Sequence, residues 1–326
     1  SACLGMPFLC PRWGNNMRIG IWLGIAWLGA ALSASSLVYA DYSTGLAEYR
    51  RGNFASAIHE WRMEAERGDG ESQFALGQMY EAGNGVRQNL DESYKWYRLA
   101  ADNEVLDAQV RLAELLLSGR IDGRGVEDAV EWLERAATTG HADAQFQLGL
   151  LNLEGYGIEE DAAQAARWFE LAAEQGHIPA QNNIGSLYEN GRGVEQDFSR
   201  AFAYFNQAAC QGDPMAQNNL GALYARGRGV ERNHAWAVFW FTTATRGGND
   251  VARENIQSSL AHLQQGQIVA NRVNIRSGAG TQHTPLTQLE QGETVYVLGA
   301  MDDWSQVYFE NNGEPQLGWI ASSLLQ

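Results

Sequence analysis

The sequence predicts two folds in one chain: an all-α right-handed solenoid of helix-turn-helix repeats, then a small all-β barrel. Three observations carry this. Gln73, Gln109, Gln145, Gln181 and Gln217 stand 36 residues apart, each at the start of an apolar helical pattern. Gly83, Gly119, Gly155, Gly191 and Gly227 keep the same period, and from Ile268 onward the apolar spacing changes from helical to alternating. A unit that recurs in register, with no insertion changing the count, buries its apolar face on the next copy.

Other columns stay in phase. The mid-helix small residue is Gly77, Ala113, Gly149, Gly185 and Gly221, and an aromatic column follows at Trp96, Trp132, Trp168, Tyr204 and Trp240. Apolar residues recur at three and four in both halves of a unit (Leu76, Gly77, Tyr80; Trp96, Leu99, Ala100), so each unit reads as two helices around a Gly-x-Gly loop. A mid-helix glycine costs about 1 kcal/mol relative to alanine. Its recurrence implies a bulky neighbour that needs the space, and the Trp of the second helix is the expected one. The loop glycines supply the positive φ that ends the first helix, and Asn89, Asp161, Asp197 and Asn233 stand where they cap the second. The second copy departs, with Ile121 in the loop and Gly123 and Gly125 displaced.

The pattern Ala-Gln-x-x-Leu-Gly-x-x-Tyr-x-x-Gly-x-Gly-Val, then Ala-x-x-Trp-(Phe/Tyr)-x-x-Ala-Ala-x-x-Gly, resembles the Sel-1-like repeat family, a relative of the tetratricopeptide repeat. Its best copies run from Ala180 to Asp213 and from Ala216 to Gly247. The expected boundaries are a degenerate first repeat over 41–71, five repeats over 72–251, and a capping helix and linker over 252–267. In the degenerate repeat, Ala57, Trp61 and Ala65 keep the second-helix spacing one residue off the aromatic column. The cap carries an apolar stripe of Val251, Ile256, Leu260 and Leu263.

Residues 268–326 alternate as strands at Val273 to Arg276, Thr294 to Leu298, Val307 to Phe309 and Gly318 to Ile320, with Asn311-Asn312-Gly313 as a hairpin turn. A domain of this size buries only about 60% of its unfolded surface, enough to fold alone. The strings Val-Asn-Ile-Arg-Ser-Gly, Gln-Gly-Glu-Thr-Val, Asp-Asp-Trp and Gly-Trp-Ile resemble the bacterial SH3-like domain. That resemblance implies binding of cell-wall material or a peptide. Trp304 and Trp319 match family positions, and Tyr296, Tyr308, Asp302 and Asp303 are candidates for a neighbouring surface. The plainer reading makes Trp319 and Val295 core and the two acids turn residues.

Met17-Arg18, the apolar run Ile19 to Leu32 and the polar stretch ending Val38-Tyr39-Ala40 before Asp41 form a secretory signal pattern. Cleavage after Ala40 and a periplasmic location are expected. The other reading is a retained anchor helix over 19–39. Residues 1–16 precede the expected initiator and read as a non-native leader. The first 40 residues hold two Arg and no acid, so the remaining chain carries 21 basic and 39 acidic side chains. That excess argues against nucleic acid and anionic lipid as partners. Cys3 and Cys10 lie before the signal, which leaves Cys210 alone in the processed chain, with no partner for an intrachain disulfide.

The sequence points away from an enzyme, and no cofactor or metal is expected. It contains no His-Glu-x-x-His or Gly-x-Ser-x-Gly motif. His141 and His177 share one grid position in Gly-His turns, but neighbouring helices stand about 8–10 Å apart, too far for the pair to share one zinc. The Gly-x-Gly loops follow helices rather than strands, against a nucleotide site.

What remains is recognition, on the column Ala75, Arg111, Gln147, Asn183 and Asn219. Resemblance to tetratricopeptide relatives places Asn183 and Asn219, each in Gln-Asn-Asn-(Ile/Leu)-Gly, on a concave face that hydrogen-bonds the backbone of a bound peptide. Arg192 and Arg228 would pair acidic groups of that ligand. The same asparagines also fit a structural ladder between copies, since an amide serves either use. The expectation is therefore an exported adaptor whose solenoid binds a protein or peptide and whose barrel binds wall material or a peptide. A regulatory subunit of a separate envelope enzyme is the alternative.

Overall fold

A computed structural model describes residues 35–121 and 125–326, with side chains from Tyr42 onward. The leader and most of the signal segment lie outside the described residues. The chain divides into two compact units, one ending at Ala172 and the other running from Ala173 to Gln326. Among the described residues, no helix is long and apolar enough to cross a membrane.

The first unit stacks helix pairs: α1 (Ser35–Arg50) with α2 (Phe54–Glu66), α3 (Gly70–Ala82) with α4 (Leu90–Asp102), and α5 (Leu106–Leu117) with α6 (Val126–Thr138). After these come α7 (Ala142–Glu154) and α8 (Ala162–Glu174). The second unit holds α9 (Ile178–Asn190) with α10 (Phe198–Cys210), α11 (Pro214–Arg226) with α12 (His234–Arg246), and α13 (Asp250–Leu260). Start and stop signals act as the residues predict. Asn89, Asp161, Asp197 and Asn233 each accept a backbone N–H of the following helix's first turn. Gly83 and Gly85 end α3 and turn its loop at φ 75° and 71°.

The glutamine that sets the period is the link between successive pairs. The Nε2 of Gln73, Gln109, Gln145, Gln181 and Gln217 donates to the carbonyl of Ala65, Ala101, Ala137, Ala173 and Ala209 at 3.0–3.2 Å. Those carbonyls lie in the last turn of the preceding helix, where the helix itself supplies no i+4 donor. The amide is buried in every copy, so an unmade bond there would cost about 1–3 kcal/mol.

The mid-helix glycines meet a different neighbour from the expected Trp column. A methyl group on Gly77, Gly149, Gly185 or Gly221 would come within 2.3–2.8 Å of the ring of Tyr97, Phe169, Phe205 or Phe241, one residue further along. In the second copy Ala113 has its methyl, and the ring is replaced by Leu133, also fully buried. Trp61 belongs to this same column. It stands 36 residues before Tyr97, and a methyl on Gly45 would come within 2.4 Å of it. The first pair therefore keeps the grid in its second helix and shortens only the loop.

The second unit ends in a six-stranded antiparallel sheet. Its strands are β1 (Gln265–Gln267), β2 (Val273–Arg276), β3 (Pro285–Leu289), β4 (Thr294–Met301), β5 (Trp304–Asn311) and β6 (Glu314–Ala321), in the order β1-β4-β5-β6-β2-β3. The sequence placed β1 in the linker and offered no strand at β3. Ile268, Ile275, Val295, Val307, Phe309 and Ile320 form its core. Asn312 and Gly313 take φ 52° and 77° in the β5–β6 turn, as two-residue hairpins require. The α12 helix packs on β4 and β6, and Arg253 of α13 pairs with Glu314 at 2.7 Å. In α13 Ile256 and Leu260 are buried, whereas Val251, expected on the same stripe, is 61% exposed.

Two outcomes follow from this packing. Gly185→Ala forces a methyl into the Phe205 ring and should cost about 1–3 kcal/mol by urea denaturation. Adding Phe205→Leu should recover part of that loss, as the natural Ala113–Leu133 pair does, and additive losses would contradict the contact. Glu104 stands at φ 63° where the other copies have Gly68, Gly140, Gly176, Gly212 and Gly248 at φ 87–100°. Glu104→Gly should therefore stabilise the protein by roughly 0.5–1 kcal/mol in the same assay, the relief of left-handed strain exceeding the added chain entropy.

Candidate functional site

In the first unit the predicted column begins with Ala75, Arg111 and Gln147, on α3, α5 and α7. Ala75 is buried, and Arg111 and Gln147 are half-buried. The guanidinium of Arg111 donates to Glu81 at 2.8 Å and to Glu114 at 2.5 Å, and the Tyr97 hydroxyl donates to the same Glu81 oxygen at 2.7 Å. Burial works against the charge on Arg111, but bonding to Glu81 and the charge of Glu114 outweigh it and hold the guanidinium above its usual range. Burial, then Glu81, pushes the Tyr97 hydroxyl up. Arg111 is thus a neutralised member of an internal network. It borders a cleft of about 670 Å3 whose wall includes Tyr42, Tyr49, Trp61 and Met79.

In the second unit Asn183 and Asn219 lie on α9 and α11, both half-buried. Asn219 donates to Asn182 at 3.0 Å, and Asn255 donates to Asn218 at 2.9 Å. A structural ladder therefore exists and engages Asn219. Asn183 makes no side-chain hydrogen bond among the described residues, so its amide is open to a ligand. Arg228 lies 3.9 Å from Glu189, which Arg226 approaches to 3.7 Å, and its guanidinium sits over Phe198. Its charge is already shared with Glu189 and is not a free anion receptor. Arg192 is exposed in the α9–α10 loop.

On the sheet, Tyr296 of β4 faces Tyr308 of β5, with ring centroids 6.1 Å apart. Tyr296 is half-buried, but Tyr308 is only 2% exposed, which removes it from the expected binding surface. Its hydroxyl donates to Glu310 at 3.2 Å and is pushed up by burial and by that carboxylate. Trp304 is half-buried at the start of β5. Asp302 and Asp303 are exposed in the β4–β5 turn, Asp302 at φ 53°, and the Asp303 carbonyl accepts the Ser322 N–H. Val295 and Trp319 are buried.

The paired histidines have a role that spacing alone did not reveal. Each caps a helix: the Ala144 N–H donates to His141 Nδ1 at 3.4 Å, and the Ala180 N–H to His177 Nδ1 at 3.1 Å. Asp69, Asp213 and Asn249 hold this cap in other copies. That column of familiar capping residues was the available signal. No three His, Cys, Asp or Glu side chains group as metal ligands among the described residues. Cys210 is half-buried at the end of α10.

The model for the Sel1 repeat matches five consecutive segments, 70–105, 106–141, 142–177, 178–213 and 214–249. The chain belongs to the Sel1 repeat family. Residues 271–326 of this Sel1 repeat protein match the bacterial SH3 domain. Its solenoid is similar to a protective antigen of uropathogenic Escherichia coli with an SLR fold: 28% identity, TM-score 0.64, over 69% of this chain and 49% of that one. A Sel1 repeat protein from Oxalobacter formigenes superposes with TM-score 0.61 at 29% identity, over 68% of this chain and 88% of that one. An exopolysaccharide production negative regulator from Rhizobium meliloti is 34% identical over 77 residues, 24% of this chain and 29% of that protein's length. The two matched domain types are those of a protein-interaction scaffold.

Proposed function

We propose that this Sel1 repeat protein is an exported, non-enzymatic adaptor. Its solenoid holds a protein or peptide partner, and its SH3 domain binds cell-wall material or a peptide, in the periplasm. The observation that carries the reading is the open amide of Asn183: half-buried beside a row of bonded asparagines, it offers a donor and an acceptor to a peptide backbone. The sequence supports export through its signal pattern. A second reading, a regulatory subunit of a separate envelope enzyme, draws on the relative named as a regulator of exopolysaccharide production.

The test is capture from a periplasmic extract by the full chain and by its Asn183→Ala variant. Loss of one specific partner is expected, with the melting temperature unchanged, because the Asn183 side chain makes no hydrogen bond among the described residues. Equal capture by both forms, or a variant that unfolds, would remove Asn183 from the binding site. A partner with hydrolase or synthase activity that changes on addition of the chain favours the regulatory reading.

A further inference from the structure

The second unit holds a cleft that neither the repeat grid nor the barrel pattern singled out. It lies between the fifth repeat and the sheet and measures about 530 Å3, within the range of small-ligand sites.

It opens where the glutamine link loses its second partner. Asn103 donates to Gln73 Oε1 at 2.8 Å in the first copy, and Gln211 donates to Gln181 Oε1 at 2.8 Å in the fourth. The corresponding residue of the fifth copy is Gly247, held against Pro214, where a methyl group would lie 2.8 Å from the proline ring. Gln217 keeps its bond to the Ala209 carbonyl, but its Oε1 has no partner among the described residues. Gln306 of β5 lines the same cleft, is 3% exposed, and its Oε1 is buried without a hydrogen bond. Buried acceptors left empty are rare in folded proteins, and Gln306 Oε1, with the unbonded Gln217 Oε1 at the same cleft, points to a ligand that donates.

The charge has a sign as well. Among the described residues lining the cleft, Arg246 is the one charged side chain. It is exposed and makes no ion pair with a described residue, in a chain of net charge −16. Leu286, 54% exposed, and Trp319 supply apolar wall.

We propose that this cleft binds a short peptide ending in a free carboxylate. The peptide N–H groups donate to Gln217 and Gln306, the carboxylate pairs with Arg246, and one apolar side chain covers Leu286. This site is separate from Asn183 and stands whether or not the solenoid captures a protein there.

The test follows the glutamine side-chain amides of the full chain by NMR during titration with acetyl-Ala-Leu-Ala. Saturable shifts of Gln217 and Gln306 are expected. The C-terminal amide of the same peptide, or Arg246→Gln, should weaken binding about tenfold through loss of a charge-assisted bond. Gln306→Leu should weaken it by a similar factor without lowering the melting temperature, since the oxygen it removes has no partner; a purely structural Gln306 would not separate the two. Unmoved glutamine signals, equal affinity for acid and amide, wild-type affinity in Gln306→Leu, or tighter binding of glucuronic acid than of the peptide would each overturn the proposal.

Discussion

One buried glutamine amide per repeat joins each helix pair to the pair before it, and the remaining architecture depends on that bond. The end of a helix leaves its last carbonyls without an i+4 donor, and here each one the glutamine reaches is met first by the N–H three residues on. A side chain reaching back eight residues adds a second donor to a carbonyl that already accepts that N–H at 2.9–3.1 Å, so the bond places a buried amide and ties the next helix to it: Gln73, Gln109, Gln145, Gln181 and Gln217 all bond the same alanine position. The turn between helix and glutamine must be tight. Four of the five copies meet this with a left-handed glycine, and the second does so with Glu104.

In every pair but α5–α6, where Ala113 meets Leu133, contact between a glycine and a ring sets how closely the helices approach. The two constraints occupy the small and amide columns, and the side chains between them are free to vary. That variation is where recognition is available. It also explains why the predicted column behaves unevenly: Arg111 is held by two carboxylates, Asn219 is tied to Asn182, and Asn183 is open. Resemblance alone could not rank these residues, because the ranking depends on what stands one repeat away.

The fold was legible in the sequence because its period is strict and its punctuation chemical. Caps at Asn89 and Asn233 and left-handed glycines at the loops follow from residue type alone. Side-chain direction does not. The most visible aromatic column, Trp96 and its equivalents, is one residue away from the ring column that meets the glycines, about 100° around a helix. The paired departure of Ala113 with Leu133 was the sign of the true contact. Tyr308 and Tyr296 read alike in the sequence, yet burial separates them. Strands β1 and β3 were missed because one has three residues and the other faces solvent along most of its length. The junction cleft was invisible for a different reason: it arises from Gly247 and from a sheet residue 59 positions later.

The claim that the glutamine joins successive repeats is tested most directly by comparing Gln73→Leu with Gln109→Leu in urea denaturation. Gln73 has both ends of its amide bonded, to Ala65 and Asn103, whereas Gln109 bonds Ala101 and leaves its Oε1 buried without a partner. This bonding predicts a loss of about 2–3 kcal/mol at Gln73 and about 1 kcal/mol or less at Gln109, where the leucine also removes an unsatisfied oxygen. Equal losses, or a larger loss at Gln109, would contradict it.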